Sequence, residues 1–251
     1  MALPPHILLW GEDMVKLKVY LICSAALLTA FLFGGLLYTA FQEPAAVTSA
    51  VAVMEKPVIV IDAGHGGEDS GAVDNGLYEK DINLSIALKL RDMLKAYGYE
   101  VRMTRETDVS IYDASAGTTR EKKVSDLKNR TAIINSDPNQ ILVSIHQNKF
   151  EQSQYYGTQI FYTVGSTRSE QLGEAIRQSV IGLLQPDNHR ELKPSDNEIY
   201  ILSHAEVPAV IVECGFLSNP EEAARLAEDS YQQQMAFAVS CGILTYVNQR
   251  K

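Results

Sequence analysis

Four side chains in this 251-residue chain have the types and positions to do metal chemistry: His65, Glu79, His146 and Glu213. Three of them stand at or just after the ends of short apolar runs. His65 follows VIVIDAG, His146 ends ILVSIH, and Glu213 ends AVIVE. Ligands of open α/β sheets bind beyond the carboxyl ends of the strands, so these runs aim His, His and Glu at one cleft. Glu79 opens the helical stretch after the first loop, near enough in sequence to His65 to fold back. Zinc takes imidazole nitrogen and carboxylate oxygen, and two His plus one Glu with an open fourth position is a catalytic set. A further carboxylate that is not a ligand can take a proton from the attacking water and return it. His65, Glu79 and His146 suit the ligand role, which leaves Glu213 as base and acid. A plainer reading stays open: His65 caps a turn, Glu79 forms a surface ion pair, and His146 is a core histidine.

Gly64, Gly66 and Gly67 surround His65, and Gly71 follows. They permit a tight turn, and they also let substrate backbone approach a metal. A phosphate-binding loop is excluded by the lack of GxxxxGK[ST] and of basic residues.

The elements that must position these groups alternate. Val58–Asp62, Glu100–Thr104, Ile141–His146, Thr158–Thr163, Ile199–Leu202 and Ala209–Glu213 read as strands. Asp81–Tyr97 reads as a helix with a stripe through Leu84, Leu88, Leu90 and Leu94, ended by Gly98. Val124–Asn135, Ser169–Leu184, Pro220–Leu226 and Tyr231–Val247 read as further helices, and Glu106–Lys123 as a long polar loop. This alternation predicts one α/β sandwich with a mostly parallel central sheet of about six strands flanked by helices.

Composition is ordinary for a globular chain, at 46% hydrophobic and 21% charged. The net charge of −9 argues against a nucleic-acid partner. Three cysteines make neither a disulfide framework nor a zinc ribbon, and Cys214 and Cys241 read as small buried hydrophobes. Val19 to Phe41 carries no charge and is long enough to cross a bilayer as a helix. Lys16 and Lys18 precede it and Glu43 follows, which places residues 1–18 in the cytoplasm and the rest outside. Cleavage as a signal near Ala45 to Ala50 and a buried core helix are the alternatives. All but the core helix export the domain.

DAGHGGEDSGA, YEKDINLSIALKL, SIHQN and PAVIVECGFLSNPEE occur in this order between about Pro57 and Asn248. Together they resemble the four motifs of the N-acetylmuramoyl-L-alanine amidases of the Amidase_3 type. The resemblance implies one zinc held by His65, Glu79 and His146, with Glu213 as catalyst, which matches the ranking from the residues alone. Asn148 matches the Asn of the family's HxN element and is expected to line the site, a capping role being the alternative. Gly66 and Arg190 are expected to contact substrate. The implied reaction is hydrolysis of the amide between the lactyl group of N-acetylmuramic acid and L-alanine of the stem peptide.

SIHQNKFEQSQYYGTQIFY, the RELK stretch at Arg190 and the single N-terminal anchor resemble the spore-cortex branch of that family. That branch strips stem peptides so that muramic-δ-lactam can form. Vegetative wall remodelling, a non-catalytic peptidoglycan-binding homologue, and a zinc peptidase or deacetylase are the rivals. The expected organisation is a cytoplasmic segment at 1–18, a membrane anchor or uncleaved signal at 19–41, a linker at 42–56 and a zinc amidase domain at 57–251. Peptidoglycan is the expected partner of that domain and the membrane that of the anchor. Only ten residues separate His146 from Gly157, which leaves no room there for an autoinhibitory helix.

Overall fold

The computed structural model describes residues 6–41, 56–195 and 198–249. The stretch expected to be a linker, 42–56, lies outside the described residues apart from Lys56. The chain divides into two compact units, one built on the first helix and one on everything from the first strand onward.

The first unit is α1 (His6–Phe41). Its stretch Met14–Tyr38, 25 residues, is long and apolar enough to cross a membrane.

The second unit contains β1 (Val58–Ala63), β2 (Val73–Asp74), β3 (Leu77–Tyr78), α2 (Glu79–Ala96), β4 (Val101–Met103), α3 (Thr119–Ile134), β5 (Gln140–Asn148), β6 (Gln159–Tyr162), α4 (Thr167–Leu183), β7 (Lys193–Pro194), α5 (Tyr200–His204), β8 (Ala209–Phe216), α6 (Pro220–Ala227) and α7 (Asp229–Gln249). The six-stranded sheet runs β4-β1-β5-β8-β6-β7, and β2 and β3 form a separate small hairpin. The β4/β1, β1/β5 and β5/β8 pairs are parallel, and β6 is antiparallel to β8. The expected α/β sandwich with a mostly parallel sheet is the fold observed.

Side-chain alternation splits the sheet into two faces. Ile59, Ile61, Ala63, Ile141, Val143, Ile145, Val210, Val212 and Cys214 join the larger core, with buried residues of α2, α4 and α7. Val60, Leu142, Ala209 and Ile211 face the other way and pack with Ile134 of α3 and Ile201 and Leu202 of α5. Strands buried on both faces must be apolar throughout, which is why β1 reads VIVIDA with every position buried. Asp62 is the charged exception.

Several expectations need correction. Ile199–Leu202 is not a strand: Tyr200–His204 is the short helix α5. A four-residue apolar run has no period that separates strand from helix. One helical turn buries both Ile201 and Leu202 and stacks Tyr200 on His204 at 4.0 Å between ring centroids. The sixth strand is instead β7, just after Arg190, paired in parallel with β6. Helix α3 begins at Thr119 because Thr118 and Glu121 form a reciprocal capping box, so the polar loop ends five residues earlier than expected. On α2 the buried stripe runs through Ile82, Ile86, Leu90 and Leu94, with Leu84 and Leu88 only half-buried beside it. Gly98 does end α2, at φ 76°. Cys214 is buried, whereas Cys241 is half-buried.

Candidate active site

His146 and Glu213 sit on the face of β5 and β8 that also carries Leu142 and Ile211. They are register partners on adjacent parallel strands. Just beyond them the register slips, so that His146 to Asn148 on β5 oppose Glu213 to Phe216 on β8. Bulges of this kind concentrate beside active sites, where they re-aim side chains.

His65 reaches the same place from the loop after β1. Its φ of 62° is left-handed, and Gly66 and Gly67 continue with positive φ. A non-glycine residue held there costs on the order of 1–3 kcal/mol, which the surroundings must offset. Glu79 arrives from the opposite layer as the first residue of α2, where the helix dipole favours a carboxylate.

These elements converge. Glu79 Oε1 lies 2.8 Å from His146 Nδ1, and Glu79 Oε2 lies 3.3 Å from His65 Nε2. The imidazole rings of His65 and His146 meet edge to face at 5.0 Å. His65, Glu79 and His146 each offer one ligand atom, all within 4.8 Å of one another, and could hold a metal ion. The Glu79 carboxylate is oriented by backbone amides, with Ala72 N donating to Oε2 at 2.7 Å and Gln147 N to Oε1 at 3.1 Å. Asn83 Nδ2 adds a further bond to Oε1 at 3.2 Å. Such outer contacts fix a ligand's orientation before any ion arrives.

The cluster suits a cation. Burial alone would raise the Glu79 carboxyl, but His146 and His65 hold it well below the usual carboxylate range. Burial would lower His65, yet Asp69 and Glu79 carry it up to about 9. Asp69 Oδ2 stands 2.9 Å from His65 Nδ1, off the line of a hydrogen bond, and also pairs with Lys123. The space is kept open by glycine. A Cβ on Gly64 would lie 2.3 Å from the His146 ring, and one on Gly71 would lie 2.5 Å from Glu79 Oε2.

Glu213 differs from the other acids. Its Oε2 is shut off from solvent and has no hydrogen-bond partner among the described residues. Burial, reinforced by the Glu79 charge and opposed by the two histidines, pushes its pKa up to about 7. A carboxylate poised near neutrality can both accept and release a proton.

The Amidase_3 family, described as N-acetylmuramoyl-L-alanine amidase, matches residues 59–245. The chain belongs to this family. The amidase is 33% identical over 193 residues to the germination-specific N-acetylmuramoyl-L-alanine amidase of Bacillus subtilis (strain 168), covering 77% of this chain and 81% of that one. It is similar to the solved CwlD amidase from Clostridioides difficile in complex with the GerS lipoprotein, at 43% identity and a TM-score of 0.74, covering 77% of this chain and 99% of that chain. It is also similar to AmiC2 of Nostoc punctiforme, at 29% identity and a TM-score of 0.65 over 77% and 98%. The peptidoglycan amidase reading of the four motifs therefore stands.

The remaining expected site residues have local roles in the amidase. Asn148 Oδ1 accepts from Lys149 N, and the Asn148 carbonyl accepts from Leu217 N. Gly66 lets the 105–110 loop approach, since a Cβ there would lie 2.3 Å from the Val109 carbonyl. Arg190 lies over the Phe216 ring at 4.4 Å and donates from Nε to the Tyr156 carbonyl. Sequence reasoning missed Asn83, Asp69, Arg105, Arg130 and Asp62. Asp62 did leave a signal, because a carboxylate inside a buried strand requires a partner.

Proposed function

We propose that the chain is a zinc-dependent amidase that cleaves the lactyl–L-alanine amide of peptidoglycan in the spore cortex, where stem-peptide removal precedes muramic-δ-lactam formation. Support comes above all from Glu213, a half-buried carboxylate whose Oε2 is shut off from solvent without a hydrogen-bond partner among the described residues, beside a His/Glu/His set. In this reading His65, Glu79 and His146 hold the metal. Zinc, when bound, supplies a Lewis acid that polarises a carbonyl and lowers the pKa of water to ~7. Glu213 takes a proton at its carboxylate from the attacking water and delivers it to the departing L-alanine nitrogen. An amine leaves poorly without that proton, so Glu213 serves both halves of the reaction. Asn148, Gly66 and Arg190 are assigned to the walls that receive substrate.

The cortex role draws on the likeness to the germination-specific amidase and to CwlD. In the same reading α1 anchors the domain on the outer side of a membrane, with residues 1–18 inside, 19–41 spanning, 42–56 linking and 57–251 catalytic.

Mass analysis of digests tests the proposal. Purified cortex and vegetative sacculi are treated with the zinc-loaded protein, with and without a GerS-type lipoprotein. Intact stem peptides with an L-Ala amino terminus, released in preference from cortex, are the expected products. Peptides cut internally, or sugars deacetylated, point to a different hydrolase. Preference for vegetative sacculi would remove the cortex assignment.

A further inference from the structure

The carbonyls of Ala63, Gly64 and His65 all turn inward, toward two guanidinium groups. Arg130, 2% exposed, donates from Nη1 to the Ala63 carbonyl at 2.9 Å and from Nη2 to the His65 carbonyl at 2.8 Å. Arg105, 3% exposed, donates from Nε to the Ala63 carbonyl at 2.9 Å and from Nη2 to the Gly64 carbonyl at 3.0 Å. Arg105 also reaches the Lys80 carbonyl, one residue past Glu79, at 2.8 Å. The two arginines therefore touch backbone on both sides of the metal-ligand cluster.

Arg130 is itself held. Asp62 Oδ1 accepts from Nη1 at 2.6 Å and Asp126 Oδ2 from Nε at 2.6 Å. Asp62 is kept in place by Thr104 Oγ1 at 2.7 Å and Ser144 Oγ at 2.5 Å. A planar fork with fixed donor directions can span two carbonyls and a carboxylate, which an ammonium point charge cannot. The segment that receives this clamp is the one that carries His65 in a left-handed conformation. Without external bonds to its carbonyls, the chain would relax toward the ordinary φ range and swing the imidazole away.

We propose that Arg130 and Arg105 are positioning residues for the metal ligand His65, acting by clamping the carbonyls of residues 63–65. The inference rests on the reading of His65, Glu79 and His146 as zinc ligands. It assigns to a buried ionic network a task beyond stability, since such networks contribute little net stability relative to apolar packing.

Zinc affinity, measured on the full chain by competition with a chromophoric chelator, is the test. Arg130→Lys and Arg105→Lys keep the charge and remove the fork. Both should weaken zinc binding by about 10- to 100-fold, the usual effect of losing an outer contact of a metal ligand. Far-UV circular dichroism should stay at the parent spectrum. Leu94→Ala, a core position of α2 on the opposite face of the sheet, should lower the melting temperature and leave zinc affinity within twofold. Should Arg130→Lys fail to fold, Arg105→Lys decides alone. Folded variants that bind zinc as the parent does overturn the inference while leaving the zinc reading intact. A parent chain that binds no zinc overturns both.

Discussion

Glu213 stands directly across from His146 on the neighbouring parallel strand, so the proposed proton carrier and a proposed metal ligand share one face of the sheet. The backbone ladder sets that pairing, and each substitution below reads one side of it.

Glu213→Gln should retain zinc and fold while losing about 10²- to 10⁴-fold in kcat, the typical worth of general acid–base catalysis. Glu79→Gln should behave in the opposite way, losing zinc and partly recovering activity when zinc is in excess. Metal content and kcat measured on both variants separate the two glutamates. Zinc lost from the first and kept by the second would reverse the assignment.

The pH profile should carry the mark of Glu213. Its pKa is raised from 4.5 to about 7, so the base form is lost as pH falls. A bound cation pulls that value back down, which places the acid limb of kcat/KM between about 4.5 and 7. The residual activity of Glu213→Gln should lack this limb. An identical limb in that variant assigns it to another group.

Asp62 makes stability depend on acid. Burial would raise its carboxyl, but Arg130, His146, Ser144 and Thr104 hold it well below the usual carboxylate range. A folded-state pKa below the unfolded one contributes stability that is complete above ~3.9 and declines as pH drops further. Thermal melts from pH 6 down to pH 2 should show that decline. Asp62→Ala should cost about 1.5–3 kcal/mol at neutral pH, because Arg130 loses one of its two buried carboxylate partners and keeps only Asp126. A melting temperature flat to pH 2 would count against the pair.

Metal removal should abolish turnover, and added zinc should restore it. Zinc should also raise the melting temperature, since a ligand at one hundred times its Kd stabilises by about 2.7 kcal/mol. Calorimetry with and without chelator measures this. An active, metal-free preparation refutes the zinc reading.

Gly64→Ala isolates the space requirement. Gly64 has no left-handed φ, so its substitution tests only the 2.3 Å approach of the His146 ring. Overpacking of this kind costs about 1–3 kcal/mol. Zinc affinity should fall with stability, because the atom that must move belongs to His146, a proposed ligand. Unchanged zinc binding would mean that the ring has room elsewhere.

Much of the site was legible in the residues. β1, β5 and β8 are buried on both faces, so they are written as largely apolar runs, interrupted by Asp62 and Ser144, and a polar residue at the end of such a run stands out. Four motifs in order then identify the family. The same local reading failed at Ile199–Leu202, where four apolar residues fit a strand as well as the start of a helix. It also passed over Thr118 and Glu121, although T-x-x-E is a helix-start pattern.

Sequence alone therefore determined which elements carry His65, His146 and Glu213, because strand burial and its period are local properties of the chain. It also placed Glu79 at a helix start. Tertiary structure decided what those side chains experience. Arg130 meets Asp62 from 68 positions away, and Glu79 meets His146 across 67. The raised pKa of Glu213 comes from burial and from the charge of Glu79 on α2, against the opposing pull of His146 and His65. Contacts at such separations follow from sheet order and layer packing, and no local pattern encodes them.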